Sequence, residues 1–248
     1  MDENLKPGDL QKRYDREAEI YDTKRYLTAK GNYYEQAEGK ILRELCYEKK
    51  LICDVATGTG KNIIALASQV DFIVGADISF NMLRKGSNKC SSLHIDNYVL
   101  IQADANALPF RDNTFDAVLS TKFFHNVPFS THKTFFNEMA RVSGGIVVIE
   151  LMNKFLWFGL GRLSIILRPV FGKKNNGRCY FPWNYRKITG DYKKKYFYGF
   201  GVGLPFSDFI FGRFSVLIKM LNFFLSYFPL KYIASKMLLA IDVERKNK

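Results

Sequence analysis

The sequence has few of the residues that build disulfide frameworks and metal centres. It contains four cysteines and three histidines among 248 residues. The cysteines show no C-x-x-C spacing and no pairing pattern, so we expect free thiols in a reducing compartment. Histidines, cysteines and carboxylates are nowhere grouped at the spacing of metal ligands. No metal site is predicted.

Long apolar runs are also missing. The N-terminus is polar and lacks the apolar core of a signal peptide. In the apolar C-terminal region the longest uncharged stretch runs from Met220 to Leu230. It is shorter than the roughly 20 residues that a membrane-spanning helix needs. We therefore expect a cytoplasmic protein, with peripheral contact to the inner face of a membrane as an open alternative.

Acidic residues are scarce in the C-terminal part of the chain. Residues 1–150 hold 19 basic and 20 acidic residues, residues 151–198 hold 11 and 1, and residues 199–248 hold 7 and 3. The net charge of +13 therefore belongs to the C-terminal part and predicts an anionic partner or surface there. Aromatic residues alternate with the basic ones, a pattern that suits lipid-like acceptors, RNA, or a dimer interface with a basic rim.

Apolar segments alternate with helical ones between residues 50 and 150. The predicted strands are Leu51 to Cys53, Asp71 to Asp77, Tyr98 to Gln102, Phe115 to Ser120 and Gly145 to Glu150. This alternation predicts an α/β protein with a doubly wound, mostly parallel sheet. Further strands are expected near Tyr196 to Val202 and Met237 to Val243. We expect a single domain with a basic, aromatic insertion before these last strands.

A glycine turn follows the first predicted strand, where open α/β sheets bind cofactors. A P-loop would need a glycine at Val55 and Ser or Thr at Asn62. A dinucleotide fingerprint would need a third glycine at Ile63, where close helix packing requires it. What the turn does contain is an acid followed by small residues at alternating positions, Asp54-x-Ala56-x-Gly58-x-Gly60.

This pattern resembles the first motif of the class I S-adenosylmethionine-dependent methyltransferases. Asp77 matches the family's acid that binds the two ribose hydroxyls, and Asp104 matches the residue that meets the adenine amino group. The run from Ala103 to Phe110, followed by Phe115-Asp116, is similar to the family's approach to its fourth strand. The resemblance implies a Rossmann-like methyltransferase fold with seven strands and S-adenosylmethionine as the cofactor. Within the family the chain is most similar to the small-molecule branch that includes quinone-biosynthesis methyltransferases.

The resemblance also implies a set of site residues. Cofactor contacts are expected from the glycine turn and from the ends of the neighbouring strands: Asp54, Ala56, Thr57, Gly58, Gly60, Asp77, Ile78, Met82, Asp104, Ala105 and Thr121. His125 follows the fourth strand, where the acceptor should lie, and is the candidate base, with ordering of the loop as the alternative. His94 and His132 are predicted at the surface, and Asp116 is predicted to be structural.

Four parts of the domain are distinguished by these patterns. We expect residues 1–48 to form an N-terminal helical lid and residues 49–150 the cofactor-binding core. Residues 151–235 would be an insertion that recognises the acceptor, and residues 236–248 the last strand and tail. The predicted reaction is methyl transfer to a small hydrophobic or lipid-like acceptor, such as a quinone, lipid or glycolipid precursor. RNA methylation and a non-catalytic cofactor-binding or assembly subunit are the alternatives, and a homodimer stays open.

Overall fold

The computed structural model describes residues 7–26, 29–153, 179–180, 184–200, 220 and 236–243. Apolar sequence at 155–171 and 209–235 indicates two further helices, but these segments lie outside the described residues except for Met220.

The described residues form six α-helices and eight strands. The helices are α1 (Pro7–Tyr26), α2 (Ala29–Leu45), α3 (Lys61–Leu66), α4 (Phe80–Ser92), α5 (Phe129–Val142) and α6 (Arg186–Thr189). The strands are β1 (Leu51–Val55), β2 (Phe72–Asp77), β3 (Tyr98–Gln102), β4 (Phe115–Ser120), β5 (Ser143–Asn153), β6 (Cys179–Tyr180), β7 (Lys193–Phe200) and β8 (Lys236–Asp242). One turn of 3₁₀ helix covers Phe124–Asn126.

Seven of these strands form a continuous sheet in the order β3-β2-β1-β4-β5-β8-β7. The first five are parallel, and β8 runs antiparallel between β5 and β7. The two-residue strand β6 pairs in parallel with the end of β5. The predicted seven-stranded, mostly parallel sheet is confirmed. The chain builds the sheet outward from β1 to β3 on one side and then from β4 to β5 on the other side of β1. The connections leave β1 and β4 on opposite faces of the sheet, which opens a crevice at the carboxyl ends of these two strands.

Side chains of the central strands alternate between two buried layers because successive residues of a strand point to opposite faces. Cys53 and Val55 of β1 join a core with α5, whereas Ile52 joins a core with α2 and α3. Both faces of the sheet are therefore covered by helices. A parallel sheet buried on both faces reads in sequence as short continuous apolar runs, which explains why the five core strands were predictable.

The structure also refines the C-terminal part. The strand expected near Tyr196 begins at Lys193 and ends at Phe200, so three of the basic residues, Lys193 to Lys195, belong to the edge strand β7 of the sheet. The last strand lies at Lys236–Asp242, as predicted within one residue. No helix in the part of the chain that the structure describes is long and apolar enough to cross a bilayer.

Candidate functional site

The glycine turn between β1 and α3 is held in an uncommon backbone conformation. Ala56, Gly58 and Gly60 have φ angles of 58°, 56° and 74°, respectively. Left-handed φ at a non-glycine residue such as Ala56 is uncommon and persists where the surroundings enforce it. Here the Thr57 N–H donates to the carbonyl of Ala76 at 3.0 Å, which ties the turn to the end of β2. A Cβ added at Gly58 would meet no atom within 4 Å, so this face of the turn is open.

Asp77 clamps the same turn from the end of β2. Its Oδ2 accepts a hydrogen bond from the Gly58 N–H at 2.8 Å, and its Oδ1 accepts one from the Ser79 N–H at 2.9 Å. Burial raises the pKa of Asp77 to about 6, although these backbone donors act in the opposite direction and the nearby Asp15 adds to the rise. The carboxylate is thus fixed in place and protonates near pH 6.

Asp54 stands behind the turn in a buried polar network. Asn62 on α3 donates through Nδ2 to Asp54 Oδ1 at 2.9 Å and to Thr121 Oγ1 at 3.1 Å. Burial raises the pKa of Asp54 to about 6 against the effect of the Asn62 hydrogen bond. The Thr57 side chain also hydrogen-bonds to Asp54 and, like Asn62, acts to lower its pKa.

Asp104 follows β3, the strand next to β2 in the sheet. Its Oδ1 accepts from both the backbone N–H and the side-chain Nδ2 of Asn106, each at 2.9 Å. This Asx turn orients the carboxylate locally. Asp104 lines the same cavity as Asp77, between the carboxyl ends of β2 and β3.

One cavity joins these groups and contains about 1010 Å³ of atom-free space, part of it open to solvent. The glycine turn and the acids Asp77 and Asp104 line one side of it. Apolar and aromatic side chains line the rest, among them Leu10, Met82, Leu108, Phe123, Val127 and Phe135.

Helix α1 covers the cavity and is fastened by charged groups. Tyr14 and Tyr21 line the cavity from α1, with their ring centroids 6.4 Å apart. Asp22 Oδ1 accepts from Thr59 Oγ1 of the glycine turn at 2.7 Å, and Lys89 Nζ of α4 donates to Asp22 Oδ2 at 2.8 Å. The helix is therefore connected directly to the turn that it covers.

Most of the residues expected in the site surround this cavity. Ala56, Gly58, Asp77, Ile78, Met82, Asp104, Ala105 and Thr121 line it. Thr57 lines a smaller adjoining pocket, together with Gly58 and Thr121. Asp54 lies one layer behind, in contact with Asn62, and Gly60 is the N-cap of α3. The predicted structural role of Asp116 is confirmed, because its Oδ2 accepts from the N–H groups of Lys50 and Leu51 at 2.9 Å.

The three histidines differ from one another in position. His94 is exposed, as predicted. The surface prediction for His132 is wrong: this residue is 1% exposed, and its Nδ1 lies 2.7 Å from the Tyr180 hydroxyl. His125 lies in the 3₁₀ turn beside Glu150 and is not among the residues that line the cavity. Its role as a base stays a prediction.

Sequence reasoning missed two polar residues of the site. Asn62 was considered only as a departure from the P-loop pattern, yet it connects Asp54 to Thr121. Lys122 lines both pockets, and nothing in its local sequence distinguished it from a surface lysine. Among the residues that the structure describes, no group of three His, Cys, Asp or Glu side chains is placed to hold a metal ion.

The chemistry of the cavity fits S-adenosylmethionine. Two carboxylates along one wall, Asp77 and Asp104, suit hydroxyl and amino donors of a nucleoside because a carboxylate accepts several hydrogen bonds. The open face at Gly58 allows a ligand to approach the main chain.

Comparisons with known proteins agree with this fit. Residues 52–144 match the family described as a methyltransferase domain. Demethylmenaquinone methyltransferase of Geobacillus stearothermophilus is 36% identical over 143 residues, which cover 54% of this chain and 60% of that protein. The enzyme of the same name from Geobacillus sp. strain WCH70 is 32% identical over 174 residues, which cover 66% of this chain and 70% of that protein. The aligned region thus spans about three fifths of the length of the first relative.

A solved structure shows the same fold. The magnesium protoporphyrin IX methyltransferase from Synechocystis PCC 6803, determined with bound S-adenosylhomocysteine (SAH), superposes with a TM-score of 0.69 at 15% identity. The superposition covers 96% of this chain and 99% of that one. Together with the similarity to the Geobacillus sequences, the strand order and the clamped glycine turn place the chain in a known family. The chain belongs to the class I S-adenosylmethionine-dependent methyltransferases.

Proposed function

We propose that this protein transfers the methyl group of S-adenosylmethionine to a small, apolar, quinone-type acceptor. The observation that carries the proposal is that polar and aromatic groups line one cavity. Asp77, Asp104 and the glycine turn follow or end β1, β2 and β3, whereas Phe123 and Phe135 come after β4. A nucleoside cofactor suits the polar groups, and a flat apolar ring suits the aromatic ones.

The sulfonium of the cofactor supplies a methyl group that is already activated toward displacement. The chain itself has to align the acceptor and exclude water, which lowers the barrier by proximity and orientation. Asp77 and Asp104 hold the nucleoside part of the cofactor, and the aromatic part of the lining receives the acceptor. Helix α1 closes the cavity through Tyr14 and Tyr21. His125 beside Glu150 is the candidate group for moving a proton at the edge of this site.

The relatives support the choice of acceptor class. Two of them carry the name demethylmenaquinone methyltransferase at 36% and 32% identity. The apolar lining from Leu108, Val127 and Phe135 agrees with an acceptor of that kind. No comparable observation among the described residues favours RNA methylation or a non-catalytic role.

We also propose a peripheral contact with an anionic lipid surface, since a quinone-type acceptor resides in lipid. The excess of basic residues after position 150 and the exposed Tyr196 on the edge strand β7 support it. Flotation with anionic vesicles measures this contact. Binding at low salt that disappears in high salt is expected, and no binding at low salt would contradict it.

The proposed reaction is tested in two steps. Isothermal titration with S-adenosylmethionine is done on the wild type and on Asp77→Ala, and labelled methyl transfer is then followed into a reduced quinone-containing lipid extract and into an RNA pool. We expect binding by the wild type alone and label in the lipid extract alone. Label in RNA would overturn the acceptor class, and absence of cofactor binding would overturn the reaction. A fall in turnover without a change in cofactor affinity in His125→Asn is expected if His125 is the base.

A further inference from the structure

Four charged side chains from four different parts of the chain form a buried cluster that includes Lys122 of the cavity lining. Lys122, which follows β4, places its Nζ 3.1 Å from Oε1 of Glu38 on α2. Lys236 at the start of β8 places its Nζ 2.7 Å from Oε1 of Glu150 on β5. The side chains of Glu38 and Glu150 are 3% and 0% exposed, whereas those of Lys122 and Lys236 are 14% and 16% exposed. The cluster contains two positive and two negative groups.

Such a cluster is a poor way to stabilise a fold. Removing charges from water costs several kcal/mol per ion, and apolar residues of similar volume often do as well or better. The cluster is also incompletely satisfied, because Oε2 of Glu38 is buried without a hydrogen-bond partner. Burial raises the pKa of Glu38. Burial acts on Glu150 in the same direction, but Lys236, Lys122 and His125 outweigh it and hold the pKa of Glu150 at about 2.

The backbone of Lys122 is held as firmly as its side chain. Its φ is 56°, a left-handed conformation that is unfavourable for an L-residue. Two side chains maintain it: Oε2 of Glu150 accepts from the Lys122 N–H at 3.0 Å, and Asn126 Nδ2 donates to the Lys122 carbonyl. Strained residues that their surroundings fix in this way are concentrated at functional sites.

Lys122 also lies where an acceptor has to bind. It lines the main cavity, and it is the one basic residue among the described residues that do so. The two acids of that lining, Asp77 and Asp104, lie at the cofactor end. The residues that follow Lys122, including Phe123 and Val127, form the apolar wall. A cation beside an apolar aromatic surface suits a flat ring that carries an acidic oxygen.

We infer that Lys122 is the residue that orients the acceptor, and that its ammonium group binds an acidic hydroxyl, phenolic or enolic, on an aromatic ring. Glu38 is the positioning residue that holds this ammonium group. Because an adjacent positive charge favours the anionic form, the bound hydroxyl releases its proton to water and the ring becomes a stronger nucleophile. This inference rests on the proposed function, since it names the chemical class of the acceptor for the same cavity.

The test uses two probes that differ in one group, 1-naphthol and 1-methoxynaphthalene. Their affinities are measured by fluorescence titration, and ionisation of bound 1-naphthol is followed by the absorbance of the naphtholate. In Lys122→Met we expect 1-naphthol to bind about tenfold more weakly or worse, as for a lost hydrogen bond to a charged group, with the naphtholate absorbance lost. The affinity for 1-methoxynaphthalene should not change. The matched control is Lys133→Met, at an exposed position on α5, which should behave as the wild type.

Removing Lys122 alone leaves Glu38 as an unpaired buried charge, so two further variants protect the test against misfolding. Glu38→Gln combined with Lys122→Met removes both charges and should keep the fold but lose the discrimination between probes. Lys122→Arg should keep the discrimination in part. Glu38→Gln alone should shift the pH at which bound 1-naphthol ionises, which a purely structural role would not do.

Two results would overturn the inference: equal weakening of both probes in Lys122→Met, or no weakening of 1-naphthol in any variant without Lys122. Titration with S-adenosylmethionine separates this failure from that of the proposed function. Loss of the discrimination with normal cofactor binding supports the inference, whereas a wild type that binds no cofactor overturns the proposed reaction and leaves the probe result to be judged separately.

Discussion

The carboxylate of Asp77 lies 2.8 Å from the backbone nitrogen of Gly58 and accepts its hydrogen bond. The bond connects the end of β2 to the glycine turn after β1, two elements that are neighbours in the sheet. Because the second carboxylate oxygen is fixed by the Ser79 N–H, the side chain has one orientation. A single acid therefore shapes the turn and presents charge to the cavity.

Substitution of Asp77 by asparagine should separate these two tasks. An asparagine oxygen can still accept from one of the two backbone N–H groups, but the charge is lost. We expect S-adenosylmethionine affinity to fall about tenfold to a hundredfold at pH 7.5, because hydrogen bonds to charged groups contribute about 1.5–3 kcal/mol. Isothermal titration measures the loss. Asp71→Asn, at an exposed position just before β2, is the control and should bind normally. Equal affinities for the wild type and Asp77→Asn would contradict this assignment.

Gly58→Ala should impair binding more than folding. A Cβ at this position meets no protein atom within 4 Å, and φ of 56° costs an alanine roughly 1–2 kcal/mol. The added methyl group would stand on a residue that lines both pockets, so we expect cofactor affinity to be lost while the protein stays folded.

Gly190→Ala is the matched control for this substitution. Gly190 also has positive φ, at 58°, and no atom within 4 Å of an added Cβ, but it follows α6 and does not line the pockets. This variant should lose stability in thermal unfolding and keep its cofactor affinity. Cofactor binding by Gly58→Ala at the wild-type level would show that the turn is not approached by the ligand.

Asp54→Asn should stabilise the free protein at neutral pH. The pKa of Asp54 is about 6 in the folded chain against an ordinary value of 3.8. As the pH rises from about 4 to about 6, the unfolded chain releases this proton first, so ionisation favours unfolding. The stability associated with this group is present below pH 4 and lost above pH 6. A shift of about two units corresponds to at most about 3 kcal/mol.

Chemical denaturation at pH 4.5 and pH 7.5 measures this effect. The gain of Asp54→Asn over the wild type should be small at the lower pH and largest at the higher one, because asparagine keeps the acceptor for Asn62 but cannot ionise. Other acids, such as Glu150, also change the free energy of unfolding with pH, but they do so equally in the wild type and in Asp54→Asn. Their contributions therefore cancel when the two proteins are compared at the same pH. A variant less stable than the wild type at pH 7.5 would refute the expected sign.

Closure of α1 should depend on salt. Asp22 and Lys89 are about one quarter exposed and join α1 to α4 next to the glycine turn, whereas the Glu19–Lys85 pair is more exposed on its acidic side. Surface ion pairs contribute about 0–1 kcal/mol and are screened by salt. We expect Lys89→Met to reduce the hydrogen-exchange protection of α1 and to increase the rate of cofactor release. Lys85→Met is the control and should have a smaller effect, because its ion pair is more exposed. Hydrogen-exchange protection of α1 in the wild type should also fall when the salt concentration is raised from 0.1 M to 1 M, because the Debye length shortens from about 10 Å to about 3 Å. Unchanged protection in Lys89→Met would mean that apolar contacts alone hold the helix.

The elements of the core and much of the polar half of the site could be predicted from local sequence. Short apolar runs marked the five parallel strands because both faces of the sheet are covered. Asp77 and Asp104 were found because the carboxyl ends of parallel strands lie at the same edge of the sheet. Residues at those ends are therefore close together, and this does not depend on how the side chains of the core pack. Ser79 is a residue type that favours the N-cap of a helix, and at the start of α4 its hydroxyl accepts from the Met82 N–H.

Other features were decided by packing between distant segments. His132 reads as a surface residue because nothing nearby in sequence shows that Tyr180, 48 positions away, meets it in the core. Lys122 and Glu38 are 84 positions apart, and each has an ordinary local sequence.

Local sequence was enough to predict the positions of the parallel strands, the glycine turn and the acids at the strand ends, because these depend on periodicity and on chain direction at the end of a strand. Which charges are buried together depends on the packing of distant segments. Burial depends on how helices α2 and α5 and strand β8 meet around the sheet, and this placement turns an unremarkable lysine after β4 into a charge at the wall of the cavity.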